Sequence, residues 1–116
     1  MSYDIDVVIT RTLHSGNYTS NVSDMYYHAW DQIKHKLDIP DYELLGGDWK
    51  QALQLDQPYS MKALREMIIE LKKNPKVYKE MEPSNGWGNY EGAIEFLERA
   101  YSAMLISEDA RLILSW

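Results

Sequence analysis

Near the start of the chain, Ile5, Val7 and Ile9 alternate with Asp4, Asp6 and Thr10. That is the period-two pattern of a strand with one buried face, and it predicts a strand over Tyr3–Leu13. His14-Ser15-Gly16-Asn17 then reads as a turn. The spacing switches to the helical one at Val22. Val22, Met25, Tyr26, Ala29, Ile33 and Leu37 follow the i, i+3, i+4, i+7 template and predict a helix from about Ser23 to Lys36, capped by Ser23 or Asn21. Asp38-Ile39-Pro40-Asp41 ends it, and Gly46-Gly47 marks a further turn. Asp48 can cap a short helix holding Trp49, Ala52 and Leu53.

The second half is helical almost throughout. Asp56 with Pro58 opens a helix to about Lys73, with Met61, Leu64, Met67, Ile68 and Leu71 on one face. Asn74-Pro75 breaks it and starts a short helix to Met81. Asn89 caps a last helix, Tyr90 to Ile106, with the stripe Tyr90, Ala93, Ile94, Leu97, Tyr101, Met104 and Leu105. Ala110–Trp116 reads as a closing strand with Leu112 and Leu114 on one face. The fold class expected is α+β: a single helix-dominated domain over residues 1–116, with short N- and C-terminal strands pairing against a helical layer. A two-stranded pair is marginal alone, so it must lean on the helices or on another subunit's strand.

Composition narrows the function classes. Hydrophobic residues make up 45% and charged residues 26%, as in folded globular chains. With no Cys, disulfides and thiolate-ligated metal sites are excluded. The N-terminus carries acids where a secretory leader carries bases, and no run reaches the ~18 apolar residues of a membrane span. The chain reads as a cytoplasmic protein that engages no membrane. The formal net charge is −6, which argues against direct binding of duplex nucleic acid. That charge is uneven. Of 12 bases and 18 acids in the chain, residues 60–81 hold six bases (Lys62, Arg65, Lys72, Lys73, Lys76, Lys79) and only three acids (Glu66, Glu70, Glu80). The run serves as a solvated helix surface, with lysines complementing the C-terminal dipole, or as a phosphate-binding patch.

Chemistry-bearing patterns are sparse. Asp24, His28, Asp31 and His35 fall on one stripe of the first helix, a spacing that can ligate a transition metal. The same spacing stabilises a solvated helix face, and no third ligand class accompanies it, so we adopt the solvated face. His14 has no nucleophile directed at it by any motif, and the carboxylate pairs Asp4/Asp6, Glu80/Glu82 and Glu91/Glu95 do not converge by sequence. Neither an enzymatic activity nor a cofactor is expected.

The one compositional excess is aromatic: four Trp and nine Tyr against one Phe. Trp and Tyr suit half-buried positions and contact surfaces. Tyr18, Tyr27, Trp30, Trp87 and Tyr90, with Lys72, Lys73 and Lys76, are the candidate binding residues; Tyr26, Tyr90 and Tyr101 also carry core spacing. Trp87 sits between Gly86 and Gly88 in the elbow Ser84-Asn85-Gly86-Trp87-Gly88-Asn89, which leads straight into the last helix. Asn85-Gly86 favours a turn with positive φ.

Gly16-Asn17-Tyr18-Thr19-Ser20-Asn21-Val22-Ser23 and Asn85-Gly86-Trp87-Gly88-Asn89-Tyr90-Glu91-Gly92-Ala93 together resemble a family of small, mostly uncharacterised proteins encoded by bacteriophages and prophages. In that family a first strand leads into a similar turn, a similar elbow starts a helix, and a short strand closes the chain; Asp38 to Gln57 departs from the pattern. The resemblance implies a phage-encoded protein working in the host cytoplasm without naming a reaction. It points to a non-enzymatic binding protein that inhibits a host factor, such as an antiviral defence component, by binding a host protein or sequestering a nucleotide signal. The alternative is a virion-associated structural or assembly accessory acting as a homo-oligomer, since short terminal strands leave edges on which a second copy can pair.

Overall fold

In the computed structural model, which describes residues 2–8, 12–19, 22–37, 49–82, 88–106 and 108–115, the three long apolar stripes become three packed helices. These are α1 (Ser23–Ile33), α3 (Tyr59–Lys73) and α5 (Tyr90–Met104). Two short helices, α2 (Trp49–Leu53) and α4 (Pro75–Lys79), flank α3 in sequence. The strands are β1 (Ser2–Val8), β2 (Thr12–Thr19) and β3 (Arg111–Ser115). Helices dominate. The radius of gyration is 13.4 Å, matching the roughly 13 Å of a single compact domain of this length.

β1 is the middle strand, antiparallel to β2 on one side and to β3 on the other. The expected single strand Tyr3–Leu13 is thus corrected to a hairpin, and the expected turn His14–Asn17 lies inside β2. Turn propensity at Gly16-Asn17 yields to cross-strand pairing. The register jumps from Ile5↔Gly16 to Asp6↔His14, leaving Ser15 without an opposite residue, as in a bulge. An internal glycine is a frequent companion of such a bulge.

α5 organises the interior because it contacts all three strands as well as α3. That double contact widens its buried face beyond one stripe. Phe96, off the expected stripe, is buried with Tyr90, Ala93, Ile94, Leu97 and Met104. Leu105 is corrected the other way: the helix stops at Met104, and Leu105 and Ile106 lie in the following turn, 65% and 53% exposed. α3 contributes Ala63, Leu64, Met67 and Leu71, and α1 contributes Met25, Tyr26, Ala29, Trp30 and Ile33. The Tyr26 ring packs 4.9 Å from that of Trp49 in α2, and its hydroxyl donates to the Ala93 carbonyl at 2.8 Å, tying α1 to α5.

The helix ends follow local chemistry, with two amendments. α1 has Val22 at its N-cap with no side-chain cap bond, and its last turn tightens into a 3-10 turn over Lys34–Lys36. At α3, Asp56 contributes its backbone carbonyl, which accepts from Tyr59 and Ser60, in place of a side-chain cap. Asn89 caps α5 as expected: its side chain accepts from the Gly92 N–H at 2.6 Å. Gly46-Gly47, Asp48, the elbow from Ser84 to Trp87, and Trp116 lie outside the described residues.

Candidate functional site

α3 carries the surface of interest, and its C-terminal end is fixed in an unusual way. In an α-helix the Leu71 carbonyl would accept from the N–H four residues on, but that residue is Pro75, which has none. The Tyr90 hydroxyl donates to that carbonyl instead. The Glu70 side chain, one residue earlier, is held from the α3–α4 junction and α4. The Glu70 carboxylate accepts from the Tyr78 hydroxyl at 2.8 Å and from the Asn74 amide at 2.9 Å. Burial, followed by the hydrogen bond to Glu70, holds the Tyr78 phenol well above its ordinary range. Burial is also the main cause that raises the Tyr90 phenol. Both side chains are neutral clamps across the physiological range.

These clamps leave α3 with an outward cationic bias. Glu70 is turned into the Tyr78–Asn74 cluster, whereas Lys62, Arg65, Lys72 and Lys73 are exposed. α5 runs antiparallel beside α3: Lys72 pairs with Glu98 at 2.9 Å, while Arg65 and Ile68 face Tyr101 and Ser102 across a groove. This groove, of about 320 Å³, is lined by Arg65, Ile68, Ile69, Glu98, Tyr101 and Ser102. Its lining combines the apolar Ile68 and Ile69 and the Tyr101 ring with the charged Arg65 and Glu98. Ile69 is 44% exposed there, off the core stripe of its helix. On the other side of Arg65 a depression of about 310 Å³ is lined by Lys36, Leu37, Lys62, Arg65 and Glu66. Arg65 lines both, so the two form one continuous surface along α3.

The sequence-derived binding residues do not converge. Trp30 and Tyr90 are core residues, 2% and 6% exposed, and cannot stack on a ligand. Tyr27 is exposed on α1, where its ring lies edge-on to Trp49 at 6.3 Å with the Lys50 ammonium 5.6 Å from its centre. Tyr18 stands opposite Tyr3 in the β1–β2 register. Trp87 lies outside the described residues. Lys72 is engaged by Glu98, and Lys73 and Lys76 are exposed near the α3–α4 junction. The His28 ring packs edge-on against Tyr78 at 5.5 Å, and Asp31 pairs with Lys34 at 3.3 Å, so the Asp/His stripe of α1 is engaged as helix surface. Among the described residues no group of three His, Cys, Asp or Glu could hold a metal ion, and no helix is long and apolar enough to cross a membrane.

No pattern in the sequence groups Ile69, Arg65 and Tyr101. One signal was present: Ile69 is a large apolar residue one position off the stripe Leu64–Met67–Leu71. Its pairing with Tyr101 depends on how α3 and α5 cross, which no local pattern states. No protein-family model matches the chain, and no curated protein or solved structure matches it either.

Proposed function

We propose that the chain is a phage-encoded, non-enzymatic binding protein that inhibits a host factor, such as an antiviral defence component, in the host cytoplasm, with the α3–α5 groove as its contact face. The observation that carries this reading is the apolar part of that groove's lining, the exposed Ile69 with the half-buried Ile68 and Tyr101, beside the charged Arg65 and Glu98. An apolar centre with a charged rim is the anatomy of a protein contact surface. It suits capture of a protein better than of a nucleotide signal, because Trp30 and Tyr90 lie in the core and the Lys72 ammonium is held by Glu98. The phage origin follows from the resemblance of the Gly16–Ser23 and Asn85–Ala93 segments.

The test is expression of the chain in hosts carrying a panel of defence systems, challenged with phage and paired with affinity capture. The reading expects rescue of phage growth by the wild-type chain, with a host protein retained by it and lost by Ile69→Asp. Ile69 is exposed enough for that substitution to leave the fold intact. No rescue and no Ile69-dependent host partner would sink the proposal. A second reading, a homo-oligomeric virion accessory, is favoured by the positions of β2 and β3 as outer strands of the sheet. It requires the protein in purified particles and more than one copy per assembly in light scattering; a monomer missing from particles removes it.

A further inference from the structure

We infer that the groove's occupant is an acidic amphipathic helix of the partner protein, an inference that rests on the reading of the α3–α5 groove as the contact face. The first observation is local charge. In a chain of net charge −6, Lys36, Lys62 and Arg65 gather around one depression with Glu66 as the lone acid. These three cations are exposed and have no ion-pair partner among the described residues, in contrast to Lys34, Lys72, Lys79 and Arg99. Exposed charges farther apart than about 8 Å are largely screened at physiological salt. The local cations, rather than the chain's acidic total, therefore set the field that an arriving segment meets.

The second observation is continuity. Arg65 belongs both to this depression and to the apolar groove of Ile68, Ile69 and Tyr101. An occupant that satisfies both must place carboxylates over Lys36, Lys62 and Arg65 and, further along the same face, apolar side chains on Ile69 and Tyr101. The third observation fixes its secondary structure. The walls of the Ile68–Ile69–Tyr101 groove are the helices α3 and α5, which offer an occupant mainly side chains. A helix meets such a wall with its own backbone satisfied, and its i, i+4 ridge fits between two helices. An extended segment would find few backbone partners on the two helix walls and would gain little from its own N–H and C=O groups there.

The experiment uses two synthetic helical peptides as long as α3, each with a Leu stripe at i, i+3, i+4 and i+7. One carries Glu beside the stripe and the other Lys at the same positions. Fluorescence anisotropy is read against the wild-type chain, Ile69→Asp, and the triple variant Lys36→Glu/Lys62→Glu/Arg65→Glu, each checked for folding by circular dichroism. The Glu peptide is expected to saturate the wild-type chain and to bind at least roughly tenfold more weakly to each variant. Raised salt should weaken it further, and the Lys peptide should bind at least roughly tenfold more weakly than the Glu peptide. No saturable binding of the Glu peptide, equal binding of the Lys peptide, or indifference to the triple charge reversal overturns the inference. So does displacement by heparin with no dependence on Ile69, which would mark a polyanion site. A captured host protein lost by Ile69→Asp but indifferent to the triple variant leaves the groove reading standing and removes the acidic helix. Loss of Ile69 dependence in both assays removes both.

Discussion

Tyr90→Phe isolates the clamp at the end of α3. The substitution keeps the ring, so packing around the buried side chain is conserved and no cavity opens. Only the hydroxyl is lost, and with it the donor to the Leu71 carbonyl. Leu71 is fully buried, and the residue whose N–H would otherwise serve that carbonyl is Pro75. The acceptor is left buried and unsatisfied, a loss of about 1–3 kcal/mol. Tyr26→Phe is the control. Its hydroxyl also donates to a buried helix carbonyl, that of Ala93, but Ala93 lies within α5 and keeps the helical N–H of Leu97 as a donor. That change should cost about 0.5–1.5 kcal/mol, the net value of one hydrogen bond. Urea unfolding of both variants measures the difference with the slope m unchanged. Thermal scans should show Tyr90→Phe lowering the midpoint by roughly 4–12 °C for a chain of this size. A Tyr90→Phe loss under about 0.5 kcal/mol, or a Tyr26→Phe loss as large as that of Tyr90→Phe, would refute the argument that Pro75 makes the Leu71 acceptor depend on Tyr90.

Alkaline titration tests the other clamp. The folded pKa values of Tyr78 and Tyr90 are raised above the ordinary phenol value of about 10, so their stabilising effect is complete below pH ~10 and is lost as pH climbs toward the folded values. Phenolate absorbance should show these tyrosines ionising late or together with unfolding, and early ionisation of all nine tyrosines in the folded chain would contradict it. Asn89→Ala removes the cap on Gly92 and should destabilise by about 1 kcal/mol in urea, with Asn89→Asp restoring most of it. Gln57 bridges the Met104 and Ala110 carbonyls at 3.2 and 2.8 Å, and Gln57→Ala should cost about 1–2 kcal/mol and raise hydrogen exchange at the start of β3 first. Unchanged exchange there would show that the bridge does not hold the strand.

Periodicity along the chain determined the helices. The stripes of α1, α3 and α5 bury apolar side chains at helical spacing, and the signals at Asn89 and Pro75 work within one turn of where they act. β2 was hidden because Gly16-Asn17 favours a turn when read locally, and only pairing with β1 outweighs that preference. Pro75 leaves the Leu71 carbonyl without its helical donor by simple counting, so the need for a clamp is written in the sequence. The donor itself, Tyr90, comes from another helix, and the Glu82 carboxylate that accepts from the Tyr90 N–H and the Gln57 bridge across the end of α5 likewise come from segments distant in sequence or outside the helix they serve. The same holds for the candidate contact face. The basic excess of residues 60–81 is plain in the composition, but its direction is not. Turning Glu70 inward to Tyr78 and setting α5 beside α3 leave Arg65, Ile69 and Tyr101 together on the outside. Local sequence sets which residues share a helix face, because that depends on a repeat of a few residues. Which faces meet depends on packing between segments far apart in the chain, and only the tertiary structure decides it.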